Sequence, residues 1–342
     1  MSPPVEPVLS SITAPLLRDA LDEALRSPRL DGGVPPAIWE RALRGPLCDF
    51  AARPGKELRA RLAEVAWTLA GGDGRLPEAI ARVVEGLHAG SLIVDDVQDD
   101  ATERRGRPAL HQLHGVPVAI NAGNWLYFWA LGELDGLAVP PAVHAAMYRT
   151  ALATLRACHQ GQALDLTVRA HELDRHRTPA VVAAITRGKT AALIGLGPRL
   201  AALACGAAPE RVEILGDLGE QLGTALQMLD DLGGLTWARR AKGLEDLRAS
   251  RATWPWAWLA ETRDQLAFAR LQQRARHAAE RTDDAELEGV ADAMLAEVEL
   301  IGRTRAHACL AGALGRARDA LGGSPALAAL ADEAARLEES YG

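Results

Sequence analysis

The residues at positions 95–100 have the types and spacing of a divalent-cation site. They read Asp-Asp-Val-Gln-Asp-Asp and follow an apolar run with helical spacing. Asp95 and Asp99 are four residues apart, so a helix places both carboxylates on one face, in line with the apolar stripe. Like charges at this spacing repel, and converging carboxylate oxygens suit Mg²⁺, which keeps some waters and bridges to phosphates. The competing interpretation is an exposed acidic helix end, neutralised by Arg104 and Arg105.

A second aspartate pair, Asp230 and Asp231, follows another apolar helical run much later in the chain. Two such pairs on separate core helices are hard to explain as solvated surface, because buried carboxylates are costly without a cation. If the helices face one another, they form a carboxylate-lined cavity that needs divalent metal. Metal held there would grip a diphosphate leaving group and stabilise the negative charge that develops on it.

The elements that position these residues are expected to be helices. Aromatic residues make up only 4% of the chain while Ala and Leu are abundant, a composition that favours helices over sheets. Long segments with a 3.6-residue period, the first over residues 8–27, run between Gly/Pro breaks, and no alternating strand, repeat or polar linker is found. The sequence predicts one all-α domain over residues 1–342, with a loose segment over about residues 1–7.

Charge and cysteine content narrow the class of protein. The net charge is −7 with no Lys/Arg-rich run, which argues against a nucleic-acid partner. The four cysteines show no paired spacing and are expected to be reduced thiols. Because neither a signal peptide nor an uninterrupted apolar stretch of about 18 residues is found, we predict a cytoplasmic protein without a transmembrane segment.

Six motifs occur in a fixed order along the chain. They lie at residues 54–59 (Pro-Gly-Lys-Glu-Leu-Arg), 88–115 (the first aspartates with an Arg-Arg-Gly-Arg-Pro tail), 161–166 (Gly-Gln-Ala-Leu-Asp-Leu), 189–190 (Lys-Thr), 227–231 and 246–255. In this order and over nearly the whole chain, they resemble the motifs of the trans-isoprenyl diphosphate synthase (polyprenyl synthetase) family. Each motif alone is weak, whereas six in sequence are specific.

The resemblance implies an all-α isoprenoid synthase fold, a helical bundle around a central active-site cavity, and a homodimer. It also implies a Mg²⁺-dependent prenyltransferase with three ions per active site, which acts on isopentenyl diphosphate and allylic prenyl diphosphates. The implied chemistry is ionisation of the allylic C–O bond, attack by the homoallylic double bond, and proton loss to the departed pyrophosphate. Metal ions and guanidinium groups would offset the charge of the leaving group.

Roles for individual residues follow from the same resemblance, motif by motif. The implied Mg²⁺ ligands are Asp95, Asp99 and Asp230, supported by Asp96 and Asp231. The allylic diphosphate would be held by Arg104, Lys189 and Arg251. The diphosphate of isopentenyl diphosphate would be held by Lys56, Arg59, His88 and Arg105. The residues nearest the developing allylic cation would be Thr190 and Gln227.

The sequence departs from the family pattern mainly around the second aspartate pair. Gly234 stands where the family has a third aspartate, Leu226 replaces a phenylalanine, and Arg251 replaces a lysine. Asn124 also replaces an aspartate, and the short interval before Asp246 leaves the role of Lys242 open. We expect weakened metal binding at the second pair, with more consequence for the condensation partner than for ionisation.

The length of the product has a partial answer. Gly90 and Ser91 lie about one helical turn before Asp95 and are expected to face down the tunnel, where small residues leave room for a growing chain. Trp125, Phe128 and Trp129 form either the floor of that tunnel or ordinary core packing. With a floor there, the expected product is near C20, with C15 and C25 open.

Chain elongation is the expected function, with two rivals. A terpene-cyclase-like or atypical enzyme would ionise a prenyl diphosphate without adding a C5 unit, as the altered second motif and the cluster Trp254, Trp256 and Trp258 suggest. A cyclase has no use for a second diphosphate site, and the retention of Lys56, Arg59, His88 and Arg105 therefore argues against this rival. A non-catalytic partner subunit is the second rival, which the intact aspartates and arginines of residues 95–105 argue against.

Overall fold

The computed structural model of the protein describes residues 20, 21, 24, 33–53, 55 and 57–339. These residues form helices and turns with one short hairpin, which confirms the predicted all-α class. The chain divides into two compact units, residues 1–151 with 197–207 and residues 152–196 with 208–342. The expectation of one domain stays a prediction. The loose segment over residues 1–7 lies outside the described residues, as does most of the helix predicted over residues 8–27.

The first unit is built around long helices joined by short turns. In chain order its elements are α1 (Pro36–Trp39), a π-helical turn (Glu40–Arg44), α2 (Gly45–Ala51), α3 (Leu58–Ala70), α4 (Glu78–Gln98), β1 (Glu103–Arg104), β2 (Arg107–Pro108), α5 (Leu110–His114), α6 (Val116–Gly132) and a 3₁₀ turn (Glu133–Gly136). Helix α7 (Pro141–Thr167) has residues in both units.

The second unit continues the helical pattern to the end of the described chain. Its elements are a 3₁₀ turn (Ala170–Glu172), α8 (Thr178–Thr186), a π-helical turn (Arg187–Ala191), α9 (Ala192–Ala204, which also has residues in the first unit), α10 (Pro209–Gly234), a 3₁₀ turn (Trp237–Arg239), α11 (Arg240–Arg248), α12 (Trp254–Thr262), α13 (Gln265–Glu280), α14 (Asp284–Leu321) and α15 (Pro325–Glu339).

Helix α4 carries the first aspartate cluster at its C-terminal end. Pro77 fixes the backbone just before the helix, and Glu78 places a negative charge in its first turn, where the helix dipole favours it. The buried face of the helix packs against α6, and Ile93 and Leu126 belong to the same hydrophobic cluster. This burial holds the last turn of α4, and therefore Asp95, in a fixed place.

Helix α10 carries the second aspartate pair and packs along α14. Leu215, Leu222 and Leu229 recur every seven residues on α10 and are all buried, as a helix with one core-facing stripe requires. Helix α14 is capped at its start by Asp283, whose carboxylate accepts a hydrogen bond of 3.1 Å from the backbone N–H of Glu286. Such a cap satisfies one of the donors left open at a helix start.

One helical stretch in the described part of the chain, Thr178–Ala204, is long and apolar enough to cross a membrane. Of its most apolar window, 56% is buried inside the protein. The core helix of a soluble protein has the same length and composition, so the stretch is weak support for a membrane span. The absence of a transmembrane segment stays a prediction.

Candidate functional site

The first aspartate cluster is organised by one arginine. Asp95 and Asp99 are partly exposed, and the backbone N–H of Asp99 donates to the carbonyl of Asp95 over 2.9 Å, which keeps both on one helical turn. Asp96 is fully buried, and its Oδ1 accepts hydrogen bonds from Nε (2.7 Å) and Nη2 of Arg104. Burial raises the pKa of Asp96, and Arg104 opposes that shift. Arg104 is therefore tied to the first aspartate motif itself.

Arg104 and Arg105 sit on a hairpin with a two-residue loop. The pairing of Glu103 with Pro108 and of Arg104 with Arg107 leaves Arg105 and Gly106 as the loop, with φ of 55° and 75°. Positive φ at both loop positions is the hairpin geometry that matches the twist of the strands. A left-handed conformation costs an arginine roughly 1–3 kcal/mol, and such strain is typical of functional sites.

A buried ion pair anchors this hairpin. Arg53 is 1% exposed, and it donates to Asp49 Oδ2 over 2.6 Å and to the backbone carbonyl of Arg104 over 3.2 Å. The other oxygen of Asp49 pairs with Arg107 over 2.5 Å. Sequence reasoning missed Asp49 and Arg53, because neither belongs to a motif and an Asp–Arg pair four apart looks like a surface pair.

The guanidinium group of Arg105 is positioned by two other contacts. It lies 5.8 Å from the ring centre of Phe50, a cation–π distance. A Cβ atom added to Gly55 would lie 3.1 Å from its Nη1 atom, so any side chain at position 55 crowds the guanidinium group. This contact gives a physical reason for glycine in the motif at residues 54–59.

His88 joins three arginines in a positively charged cluster of the first unit. Burial and the neighbouring guanidinium groups of Arg59, Arg105 and Arg104 hold the pKa of His88 well below its ordinary value. A neutral imidazole surrounded by guanidinium groups suits an anion with several oxygens. The charges of Arg59 and Arg105 thus act on His88 as those of near neighbours do. That these three residues hold a diphosphate stays a prediction, and Lys56 lies outside the described residues.

At the second aspartate pair, Asp230 is held by two cationic side chains. Its Oδ2 pairs with Nζ of Lys242, and its Oδ1 pairs with Nη2 of Arg239 over 2.7 Å. Burial raises the pKa of Asp230, but Lys242 and Arg239 lower it more, so that it lies below its ordinary value. The role of Lys242, left open by the sequence, includes pairing with Asp230. Arg239 belongs to none of the six motifs, so its pairing with Asp230 was not predicted.

A close backbone contact brings Lys242 to that place. Gly234 ends α10 and Gly243 lies in α11, and any Cβ at Gly243 would collide with the carbonyl of Gly234. The glycine that replaces the family's third aspartate is thus a packing site for the next helix. It supplies no carboxylate to the motif.

A chain of hydrogen bonds starts at the residues expected near the allylic cation. The hydroxyl of Thr190 donates to Oε1 of Gln227 over 2.8 Å, and Nε2 of Gln227 donates to Oδ1 of Asp231 over 2.7 Å. The backbone N–H of Trp254 donates to the other oxygen of Asp231 over 2.9 Å. Burial raises the pKa of Asp231 to about 7. Thr190 lies in the π-helical turn Arg187–Ala191, a distortion frequent at functional sites.

The other two residues expected to hold the allylic diphosphate meet at one carboxylate. Nζ of Lys189 lies 2.6 Å from Oδ2 of Asp165, and Nη1 of Arg251 lies 3.7 Å from the same oxygen. Arg251 also lies 3.7 Å from Asp246, whose pKa burial raises to about 6. Asp165, from the motif at residues 161–166, therefore positions both cations.

The expected tunnel residues divide into two groups. Trp125 and Trp129 stack with ring centres 6.2 Å apart and pack against the core cluster of the first unit, which agrees with core packing. Phe128 is 75% exposed in this chain and belongs neither to a floor nor to the core. Ser91 is partly buried, and its hydroxyl donates to the carbonyl of His88.

Gly90 does not face open space, contrary to expectation. A Cβ atom there would lie 2.8 Å from the carbonyl oxygen of Gly123 and 3.2 Å from Leu126. The residue sits where α4 and α6 cross at close range, which the spacing from Asp95 alone does not reveal. A chain-length role for Ser91, Trp125 and Trp129 stays a prediction.

The three tryptophans at and just after the end of the last motif are buried in the second unit. Trp254 stacks on Trp258 with ring centres 6.0 Å apart, and Trp256 meets Phe268 edge-on at 6.1 Å. All three tryptophans are less than 10% exposed. Their burial agrees with packing and weakens the argument for a cyclase.

The fit of these residues to a metal differs between the two motifs. No group of three His, Cys, Asp or Glu side chains converges into a preformed metal site among the described residues. The hard oxygens of Asp95 and Asp99 at the end of α4 fit a hard divalent cation that keeps several waters. At the second motif only Asp230 is suited as a ligand, and Lys242 and Arg239 already supply positive charge to it.

The all-α architecture places the chain among the isoprenoid synthase folds. Geranylgeranyl pyrophosphate synthetase from Pyrococcus horikoshii OT3 superposes with a TM-score of 0.75, covers 95% of each chain and is 24% identical. Polyprenyl synthase from Caulobacter crescentus CB15, solved with calcium and isoprenyl diphosphate, superposes with a TM-score of 0.70 at 25% identity, over 95% of this chain and 93% of that one.

The sequence comparison defines the family. The polyprenyl synthetase family model matches residues 40–293, and the chain therefore belongs to this family. Geranylgeranyl pyrophosphate synthase 2 of Zymoseptoria tritici is 33% identical over 228 residues, which are 64% of each protein. The matches to this and two further fungal relatives span 57–64% of those proteins' lengths. Members of the family act on prenyl diphosphates and are generally metal-dependent.

Proposed function

We propose that the protein is a prenyltransferase that lengthens an allylic prenyl diphosphate with isopentenyl diphosphate, and that its main product is C20. The grouping of His88 with Arg59 and Arg105 carries this proposal, since it would provide a second anion site beside the Arg104–Asp96 pair. An enzyme that ionises one prenyl diphosphate has no use for a second diphosphate site. The C20 length is supported by the names of the related geranylgeranyl synthases.

The reaction we propose balances without an oxidant or reductant. The allylic C–O bond breaks, and the electron pair leaves with pyrophosphate. The double bond of isopentenyl diphosphate then attacks the allylic carbon, and a proton is lost to pyrophosphate as the new double bond forms. Arg104, Lys189 and Arg251 would neutralise the leaving group, and Arg59, His88 and Arg105 would hold the second diphosphate.

Mg²⁺ is the metal we propose, held by Asp95 and Asp99 and at the second motif by Asp230. When bound, it supplies charge that stabilises the departing pyrophosphate. The family resemblance implies three ions per site, and the pairing of Asp230 with Lys242 and Arg239 leaves the second motif the weaker of the two.

The direct test is product analysis after incubation with Mg²⁺ and farnesyl diphosphate, with and without isopentenyl diphosphate. We expect geranylgeranyl diphosphate only when isopentenyl diphosphate is present. A hydrocarbon or alcohol formed without it would establish a cyclase instead. No turnover with farnesyl, geranyl or dimethylallyl diphosphate would favour a non-catalytic subunit.

We also propose a cytoplasmic homodimer. Helix α6 presents Val116, Ile120 and Phe128 as exposed apolar side chains, with Phe128 75% exposed. Exposed apolar residues grouped on one helix are typical of an interaction surface. Phe128→Glu is expected to yield a monomer by light scattering. Leu300→Glu, on an 80% exposed residue of α14, serves as the control and should leave the dimer intact.

A further inference from the structure

The hydrogen bonds that link Thr190, Gln227, Asp231 and Trp254 have a fixed direction. All four residues belong to the second unit, and they come from the π-helical turn, α10 and the start of α12. A backbone N–H only donates, so the N–H of Trp254 makes one oxygen of Asp231 an acceptor. Trp254 is the first residue of α12, where helix geometry leaves the N–H without a partner in its own helix.

The direction set at Trp254 passes along the chain. When Asp231 is ionised, its second oxygen accepts as well, and it therefore selects the NH₂ end of the Gln227 amide, over 2.7 Å. The oxygen end of that amide is then turned to Thr190, whose hydroxyl donates its only proton to it over 2.8 Å. Thr190 is left with oxygen lone pairs for any further neighbour.

We propose that Asp231 is a positioning residue that sets the hydrogen-bond polarity of Gln227, so that Thr190 presents oxygen lone pairs to the reacting allylic group. The inference rests on the proposed function, in which positive charge develops on the allylic carbons. Oriented lone pairs stabilise such charge without reorganisation during the reaction. A hydroxyl proton aimed at the same carbons would oppose it.

The substitution Asp231→Asn tests the polarity directly. The asparagine oxygen must still accept from the Trp254 N–H, so its NH₂ group faces Gln227. The Gln227 amide then turns over, its NH₂ group faces Thr190, and the Thr190 proton points away. With farnesyl diphosphate, we expect kcat to fall about 100-fold, as for the loss of one preorganised polar group in other enzymes, with little change in KM.

The double variant Asp231→Asn/Gln227→Glu restores the original direction. The glutamate accepts from the asparagine NH₂ group with one oxygen and from the Thr190 hydroxyl with the other, and the total charge is unchanged. We expect at least a tenfold recovery of kcat over Asp231→Asn. Gln227→Glu alone places two carboxylates, at positions 227 and 231, against each other. Its kcat should therefore be lower than that of wild type. Asp217→Asn, an exposed carboxylate on the same helix, is the control and should leave kcat unchanged.

Asp231→Asn is then measured again in a protein that also carries Thr190→Val. This double-mutant cycle shows whether the loss of kcat depends on the Thr190 hydroxyl. There Asp231→Asn should cause less than a threefold further loss of kcat, since the hydroxyl is gone. A full 100-fold loss in that background would overturn the proposal. Urea unfolding of the same variants separates a catalytic from a purely structural role of the Asp231–Gln227 contact. If the double variant recovers stability but not kcat, the contact is structural only, and this result would also overturn the proposal.

The design distinguishes failure of this inference from failure of the proposed function. Active wild type with no rescue in the double variant overturns the polarity role alone. A wild type that converts no allylic diphosphate, while the double variant still regains the unfolding midpoint lost in Asp231→Asn, overturns the proposed function and with it the catalytic meaning of the contact.

Discussion

Gly243 lies with its backbone directly against the carbonyl of Gly234, so α11 crosses the end of α10 with no side chain between them. This contact sets the distance between Lys242 and Asp230. An alanine at position 243 has no room for its Cβ, whereas a Cβ at position 234 would meet atoms of Gly243 no closer than 3.4 Å, an ordinary contact. Position 234 therefore tolerates a side chain, whereas position 243 does not.

We expect Gly243→Ala to destabilise the protein by about 1–3 kcal/mol, the usual cost of overpacking, and to lower kcat by moving Lys242 away from Asp230. Gly234→Ala should be much milder in both respects. Urea denaturation and steady-state kinetics measure the two effects. Equal effects of the two substitutions would show that the close contact is not a constraint in solution.

Asp95→Ala is expected to abolish turnover, by on the order of 1,000-fold or more, with unchanged helical content by circular dichroism. Removal of metal with EDTA should act in the same way on the wild type, with recovery on adding Mg²⁺. Mn²⁺ binding followed by electron paramagnetic resonance should weaken in the variant. Asp332→Ala, an exposed acid of α15, is the matched control, and near-normal activity of Asp95→Ala would refute the metal role.

Arg105→Lys is expected to raise KM for isopentenyl diphosphate about tenfold, with a smaller change for the allylic substrate. Lysine keeps the charge but loses the planar fork that binds two phosphate oxygens at once, and it loses part of the contact with Phe50. Arg107→Lys on the same hairpin is the comparison, since Arg107 is half exposed and pairs with Asp49. A larger KM effect for Arg107→Lys would mean that the hairpin's position matters more than the Arg105 contact.

The partly buried His88 should make stability depend on pH. Its folded-state pKa is well below that of an unfolded histidine, about 6.5, so the unfolded chain binds a proton first as the pH falls. Its effect on stability is absent above about pH 6.5 and becomes increasingly unfavourable below it. We expect His88→Gln to lose less unfolding free energy than wild type between pH 7.5 and 5.5.

Other groups act in the opposite direction over this range, so the comparison of variants is needed. Burial raises the pKa values of Asp231 and Asp246, to about 7 and about 6, which favours the folded state as the pH falls. These contributions are common to both proteins and cancel. The same substitution at His307, which is exposed and paired with Glu338, is the control. An identical pH response in wild type and His88→Gln would refute the assignment.

Local sequence patterns predicted the helices and the residues of the site that belong to motifs, because both depend on residues near one another in sequence. The end of α4 with Asp95, the pairing of Thr190 with Gln227, and the grouping of His88 with Arg59 all follow motif positions. Roles that depend on a neighbour from another element were missed. Arg53 holds the Arg104 carbonyl from 51 residues away, and no periodicity encodes that contact.

Gly90 is a second case in which a contact with another element could not be predicted from local sequence. Helical spacing correctly placed it one turn before the aspartates, but the face it occupies is decided by α6, which presses the Gly123 carbonyl against it. Gly90→Phe therefore tests helix packing and not product length. We expect that substitution to prevent folding, and Ser91→Phe is the better probe of the tunnel, with a shorter product expected.

The π-helical turn at residues 187–191 divides what reads as one apolar helix, Thr178–Ala204, into two segments of different phase. The extra residue in a π turn rotates everything after it by about 100°, the angle that one residue spans in an α-helix. Before the turn the buried residues form one stripe of α8, namely Thr178, Val182, Ile185 and Thr186, whereas residues 191–198 after it are all buried. Deleting one residue from this turn would rotate the buried stripe of α8 relative to α9 and displace Lys189 and Thr190. A single-codon deletion there should thus be more damaging than most substitutions in the same segment.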